Sequence, residues 1–566
     1  MKIKRRKFLK IAASFPVIGS TMIPKISSQQ EKSNDEIQKL IEIIKLKYGE
    51  RLSEDQMKLI SEDIEANIRR RERLLSYKLL NWEEPDFKFQ VKKQRLKMTE
   101  KDIAFASIRQ LSALIKAKKI SPVELTKIYI ERLKKYGEKL GAVVTITEKL
   151  ALKQAKQAEK EIMSGKYRGL LHGIPFGAKD LLATRGIPTT WGAEPYKNQV
   201  FDYDATVIKK LYNAGAILVA KLAMVELAGG MGYDDADASF TGPGRNPWNL
   251  NFWSGGSSSG SGAAVSAGLV AFAIGSETSG SILTPSAFCG ITGLRPTYGL
   301  VSRHGAMALS WTLDKLGPMC RTADDCGIVL SAIAGYDPND ETTLKIDFKY
   351  STKLLPKRKL KIAVIKGTTD KAQPEVKKNF EESLKVISEF ATLEYDVEFP
   401  DHPWGIVVGT IVDAEGGSAF YDLIISGKIS ELRNKRDKVG GYSMLQVSAV
   451  EYLNAMRLRK KMRKALEEFL SKYDAIVAPT RASVAYPIGV DFDKAYPGIS
   501  GGPALIPAGN VAGVPAICLP NGFGQNNLPT SIQFMGKALS EKTLIQIANA
   551  YQDRTHWHLK RPPIDD

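Results

Sequence analysis

Two serine- and glycine-rich patches lie close together near the middle of the chain. They are SGGSSSGSGAAV, Ser254 to Val265, and GSETSGSILTP, Gly275 to Pro285. A serine hydroxyl can attack a carbonyl carbon, and glycine lets backbone N–H groups come close to a substrate. The hydroxyl is a poor nucleophile near neutrality and needs a base. Histidine is scarce here: His172, His304, His402, His556 and His558 are the whole supply. Gly256-Ser257-Ser258-Ser259-Gly260 matches the G-x-S-x-G nucleophile elbow, which would make Ser258 the nucleophile of an esterase. None of the five histidines stands out as its partner. A lysine can serve instead of histidine if burial lowers its pKa and leaves it neutral. Most lysines in the chain sit on charged helical faces. Lys179, in GIPFGAKD (Gly173 to Asp180), follows a β-like run with two glycines and a proline.

Other readings of the first patch fit less well. A flexible linker suits its composition but not the apolar segments that crowd both sides. A Walker phosphate loop needs Gly-Lys-Ser/Thr after its first glycine, and no lysine follows. Gly260-Ser261-Gly262 lacks the third glycine of a dinucleotide fingerprint.

The elements around these residues read as an α/β architecture. From about Ile103, helical patterns such as Ser121 to Tyr136 alternate with short β-branched runs. Ala142 to Thr147, Ala216 to Ala220, Leu360 to Ile365 and Ala475 to Ala478 read as buried strands of a sheet covered on both faces. Before them, Ser33 to Gln90 reads as a helical extension. Ile37, Leu40, Ile41 and Ile44 recur at helical spacing, and Ser53-Glu-Asp-Gln56 is a capping box ahead of Met57, Ile60, Ile64 and Ile68. Asn81 to Gln90 reads as an extended connector.

The chain has 566 residues and a formal charge of +19. Seven of the positive charges lie before residue 29, leaving +12 for the rest. The opening MKIKRRKFLKIAASFPVIGSTMIP has the basic-then-apolar order of an export signal, and Arg5-Arg6-Lys7-Phe8-Leu9-Lys10 is similar to a twin-arginine motif. No later apolar run is long enough to span a membrane. No zinc-knuckle spacing or recognition helix points to nucleic acid. Cys289, Cys320, Cys326 and Cys518 fit neither a zinc pattern nor a disulfide framework and read as buried free thiols.

GIPFGAKD, then NPWNLNFWSGGSSSGSGAAVSAG, then IGSETSGSILTPSAFCGITGLRPTYGLVS together resemble the amidase signature family. The resemblance continues through AGAILVAKLAMVELA, GPMCRTADDC, NVAGVPAICLPNG and LPTSIQFMGKALSEKTL, and covers roughly Ile103 to Pro563. It implies a large mixed β-sheet covered by helices on both faces, and a Ser-cisSer-Lys triad. Carried over, Lys179 corresponds to the catalytic lysine, Ser257 to the bridging serine with a cis peptide bond, and Ser281 to the nucleophile. The backbone N–H groups of Thr278, Ser279, Gly280 and Ser281 correspond to the oxyanion hole. Asp180 and Ser258 correspond to supporting hydrogen-bonders. Where many members have Asp-Thr-Gly-Gly-Ser-Ile-Arg, this chain has Glu277-Thr278-Ser279-Gly280-Ser281-Ile282-Leu283. The arginine is absent, which leaves open what supports the loop.

The expected organisation is an export signal or anchor over 1–28, a helical extension over 33–95 and an amidase domain over 103–563. The expected location is the bacterial periplasm. The expected activity is hydrolysis of a carboxamide or N-acyl amide through an acyl-serine, without cofactor or metal. The expected partner is a small-molecule amide, with no nucleic acid. Membrane association would run through the N-terminus only, and a homodimer is open. Pocket walls are expected near Gly230, Met231 and Gly232, within Gly229 to Tyr233, and within Tyr442 to Val450. The rival readings are the glutaminase-like amidase component of an aminoacyl-tRNA amidotransferase, a non-catalytic scaffold of the same fold, and the Ser258 esterase.

Overall fold

The structure is a computed structural model that describes residues 27–75, 99–351, 354–500 and 505–565. Its contacts divide it into two units, Met1–Leu96 and Lys97–Asp566. The export-signal reading and the Asn81 to Gln90 connector fall outside the described residues.

In the first unit two helices, Ser27–Tyr48 and Glu54–Leu75, flank a short turn. The expected capping box is present. The Ser53 N–H donates to Gln56 Oε1 at 2.9 Å, and the Gln56 N–H to Ser53 Oγ at 3.2 Å. Ile37 and Ile68 are the buried members of the expected apolar stripes. Among the described residues no helix is long and apolar enough to cross a membrane.

The second unit is built on thirteen strands. They are β1 (Val143–Ile146), β2 (Pro175–Lys179), β3 (Ile217–Leu222), β4 (Arg245–Asn246), β5 (Asn249–Trp253), β6 (Phe272–Glu277), β7 (Thr292–Arg295), β8 (Lys315–Cys320), β9 (Leu360–Ile365), β10 (Ala391–Val397), β11 (Ala475–Pro479), β12 (Ala516–Phe523) and β13 (Pro529–Met535). Eleven form one mixed sheet in the order β1-β3-β2-β6-β8-β7-β12-β13-β11-β9-β10, and β4 and β5 form a separate pair. The pairs β3/β2, β2/β6, β11/β9 and β9/β10 are parallel, and the other pairs in the sheet are antiparallel.

Alternate side chains on a strand point to opposite faces, and here they enter different apolar clusters. Phe272 and Ile274 of β6 join one cluster, and Ala273 between them joins another. Ile362 and Val364 of β9 join the first, whereas Ala363 and Ile365 join a third. Both faces are therefore buried, which explains why the strands read as continuous apolar runs. The helix Pro122–Tyr136 starts on a complete Ser121–Glu124 capping box, and its Ile130 and Leu133 cover one end of the sheet with Ala151 and Ala155 of the helix Glu148–Met163. The four cysteines are buried and free.

Candidate active site

Register brings the two patches together with the lysine. Ala178 of β2 lies opposite Ile274 of β6 in parallel pairing, so Lys179 ends its strand beside Ser276. The Lys179 side-chain nitrogen donates to Ser257 Oγ at 2.7 Å and to Ser276 Oγ at 2.9 Å. Lys179 is fully buried. Burial pushes its pKa down to about 7, with Asp314 and Glu277 pulling the other way. A substantial neutral fraction near neutrality is the condition for a lysine to act as a base.

Ser257 follows a cis Gly256–Ser257 peptide bond and is also buried. Its carbonyl accepts from the Val225 N–H at 3.1 Å, and the next N–H, of Ser258, donates to the Ser281 carbonyl at 3.3 Å. That bond joins the first serine patch to the second. The helix Ser259–Ser266 then leaves the patch. A Cβ added to Gly260 would sit 2.3 Å from the Ala142 carbonyl oxygen and 2.5 Å from the Ala223 nitrogen. Only glycine allows the helix to pack this closely against backbone, so the patch is a packed turn and not a linker.

Ser258 is fully buried and turned away from Lys179's partners. Its hydroxyl donates to the Ser276 carbonyl at 3.2 Å and accepts from the Ser276 N–H at 3.3 Å. Occupied in this way, it braces β6, which counts against the elbow reading. Asp180 has a comparable place after β2. Its carboxylate accepts from the Thr190 N–H at 2.8 Å and the Thr190 hydroxyl at 2.5 Å, and pairs with buried Lys221 at 3.0 Å.

The second patch turns sharply after β6. Gly280 has φ +90°, a conformation that side-chain-bearing residues rarely adopt. Ser281 follows and is 8 % exposed, the next helix running from Leu283 to Cys289. Antiparallel register places Glu277 opposite Lys315, which brings Thr278 beside Asp314. The Thr278 hydroxyl donates to Asp314 Oδ1 at 2.6 Å. Asp314 Oδ2 in turn accepts from the N–H groups of Leu309 and Ser310 at 2.9 and 3.0 Å. Burial pushes the Asp314 carboxyl up and the Lys315 ammonium well down.

The loop's support, left open by the missing arginine, comes from Glu277. One carboxylate oxygen accepts from the N–H groups of Ile282 and Leu283, both at 3.0 Å. The other accepts from Arg295 at 3.0 Å and from Asn510 at 2.9 Å. Burial opposes ionisation of Glu277, but Arg295, Asn510 and the backbone donor outweigh it and hold its pKa below the ordinary value. Arg295 comes from β7, is fully buried, and donates also to the Val514 carbonyl at 3.1 and 2.9 Å. Leu283, where the arginine was expected, packs in the apolar core.

A cavity of about 280 Å³ is lined by Thr480, Arg481, Ser483, Ile506 and Gln533, among others. It meets the Gly280 turn: a Cβ on that glycine would lie 3.3 Å from Ile506 Cγ2. A second cavity, of about 250 Å³, is lined by Ser276, Asp314 and His304, among others. The expected pocket residues line neither. Gly230 and Met231 are not open walls: Met231 is buried, and Gly230 is packed under Leu309. Gly232 is exposed or partly so and borders no cavity wall described above. Tyr442 and Val450 face outward. Asp234, Asp235 and Asp491 come close enough to suggest a cation, but Arg436, Lys435 and Lys494 already pair with Asp234 and Asp491.

A family model described as Amidase matches residues 124–545. The amidase component (the one lettered A) of the glutamyl-tRNA(Gln) amidotransferase of Trichormus variabilis is 35% identical over 488 residues, covering 81% of this chain and all of that protein. Among solved structures, the native peptide amidase from Stenotrophomonas maltophilia is similar with a TM-score of 0.72 and 30% identity, over 81% of this chain and 98% of that one. The corresponding glutamyl-tRNA(Gln) amidotransferase component from Thermotoga maritima is similar with a TM-score of 0.64 and 29% identity, over 80% and 96%.

Proposed function

Since the chain belongs to the amidase signature family, whose members hydrolyse amide C–N bonds, we propose that it cleaves a carboxamide or N-acyl amide through an acyl-serine on Ser281. The observation that carries this reading is the fully buried Lys179, its pKa near 7, held 2.7 Å from the Ser257 hydroxyl beside the Ser281 loop. Neutral Lys179 takes the Ser257 proton as Ser257 takes the Ser281 proton. Ser281 Oγ bonds to the amide carbonyl carbon, and the carbonyl oxygen takes up the negative charge. Backbone N–H groups of Thr278, Ser279, Gly280 and Ser281 stabilise that oxygen. Losing one such donor typically costs about 3–4 kcal/mol of barrier.

The proton then returns from Lys179 through Ser257 to the nitrogen, the C–N bond breaks, and the amine leaves. Water enters by the same relay, breaks the acyl ester and releases the acid. Glu277 and Asp314 hold the loop that aims the N–H groups. Ser258 and Asp180 hold the strands that deliver Ser276 and Lys179. Treating the folded protein with a fluorophosphonate and mapping the adduct tests the assignment. Label on Ser281, lost in Ser281→Ala and greatly slowed in Lys179→Ala, supports it. Label on Ser258 refutes it, and absence of label favours a scaffold.

The names of the relatives favour a second reading, the amidase component of an aminoacyl-tRNA amidotransferase. Amide turnover by the purified chain alone separates the two: the stand-alone amidase reading expects it, and the amidotransferase reading expects dependence on added partner proteins. We propose also that residues 1–28 direct export to the periplasm, a reading that rests on Arg5-Arg6 ahead of an apolar run. Fractionation of cells expressing the full chain, with Arg5 and Arg6 intact or both changed to Lys, tests it.

A further inference from the structure

We propose that the amide cleaved at Ser281 carries a carboxylate, and that Arg481 binds it in the 280 Å³ cavity beside the Gly280 turn. The inference rests on the amidase reading above. This cavity meets the loop next to Ser281 through Ile506. The second cavity reaches Ser276, on the lysine's side. A substrate whose carbonyl lies against Ser281 would therefore extend toward Arg481.

Arg481 lies two residues beyond β11 and is half-buried. Its Nη2 donates to the Tyr486 hydroxyl at 3.0 Å. Its guanidinium lies 5.9 Å from the centroid of Phe288. Phe288 belongs to the helix that begins just after Ser281, so the same helix anchors the candidate nucleophile and the cation. Among the described residues no ion pair joins Arg481 to a carboxylate, in a molecule whose other buried arginine at this site, Arg295, has its Glu277. A guanidinium presents five N–H donors in a planar fork that matches a carboxylate.

Two further groups of the same wall lack partners. Thr480 Oγ1 and Gln533 Oε1 are buried without a hydrogen bond among the described residues, and their residues are 5% and 2% exposed. Buried polar atoms are normally satisfied, and a ligand is one means of satisfying them. A carboxylate can accept from Arg481 and from the Thr480 hydroxyl, and an N–H of the same ligand can donate to Gln533. The surroundings thus ask for an anion beside a donor, within reach of the attacking serine.

The test compares charged amides with neutral isosteres of the same shape. Glutaramate against 5-oxohexanamide places the carboxylate on the acyl side. N-acetylalanine against 3-acetamidobutan-2-one places it on the amine side. The wild-type chain is expected to prefer the charged member of one pair, which identifies the side. Arg481→Gln is expected to lower that charged-to-neutral ratio of kcat/KM roughly ten- to hundredfold, mainly through KM. Arg481→Lys is expected to keep part of it, because the charge remains and the fork is lost. No preference in the wild type, or a preference that survives Arg481→Gln, overturns the inference. Should none of the four turn over, protection decides: glutarate, but not 2,6-heptanedione, slows fluorophosphonate labelling of Ser281 in the wild type and not in Arg481→Gln. Equal effects of both overturn the inference while the labelling itself leaves the amidase reading standing. Failure of Ser281 to label at all removes both.

Discussion

Labelling of Ser281 by a fluorophosphonate should depend on pH through the protonation of Lys179. Only the neutral amine can accept the Ser257 proton, and burial lowers its pKa to about 7 from an ordinary 10.5. With that midpoint, roughly one molecule in eleven has neutral Lys179 at pH 6, about half at pH 7, and about ten in eleven at pH 8. The pseudo-first-order labelling rate should therefore rise about fivefold from pH 6 to pH 7 and less than about twofold from pH 7 to pH 8. Asp314 is the leading charge that opposes the shift, since a nearby anion favours the ammonium. Asp314→Asn should accordingly move the midpoint to lower pH. The assay is stopped-time labelling with quantitative mass spectrometry from about pH 5.5 to about pH 10.5, in buffers of constant ionic strength, a window that spans both the shifted and the ordinary lysine pKa. A flat profile, or a midpoint near 10 as for an exposed lysine, would refute the reasoning, and so would a midpoint that Asp314→Asn moves to higher pH.

Two other outcomes follow from the supports of the loop. Arg295→Met leaves the Glu277 carboxylate buried without its cation, which should cost about 3–5 kcal/mol in urea unfolding; a change below about 1 kcal/mol would show that Asn510 and the backbone donors suffice. Ser258→Ala removes the hydroxyl bonded to both backbone groups of Ser276. It should lower stability by about 1–3 kcal/mol while Ser281 still takes the label, and loss of label with full stability would return the elbow reading to favour.

The parts of the molecule that are legible in the sequence are those encoded over a few adjacent residues. Leu360 to Ile365 is a strand end to end because its apolar run is buried on both faces of the sheet. The Ser53 and Ser121 starts follow from a serine with a partner three residues on. Lys179, Ser257 and Ser281 stand out through motifs, and the structure sets them at the end of β2 and in the turns after β5 and β6. Ser276 and Asp314 carry no such mark, because their importance comes from strand register that no local pattern reveals. The support of the loop is hidden for the same reason. The family pattern puts an arginine six residues after Glu277, and the one that binds Glu277 here lies eighteen residues on, in β7. The pocket walls are less legible still. Gly229 to Tyr233 reads as open because of its glycines, but Gly230 packs beneath Leu309. The walls of the cavity come instead from loops after β11 and before the helix Leu505–Ala512, whose sequence carries no periodic signal.

Which hydroxyl becomes acylated decides the mechanism, and peptide mapping of the fluorophosphonate adduct on the folded, unmutated chain measures that directly. A single adduct on Ser281, formed at a rate that collapses in both Ser257→Ala and Lys179→Ala, is the predicted result. An adduct on Ser258 or any other serine, or one on Ser281 that forms equally fast without Lys179, would contradict it.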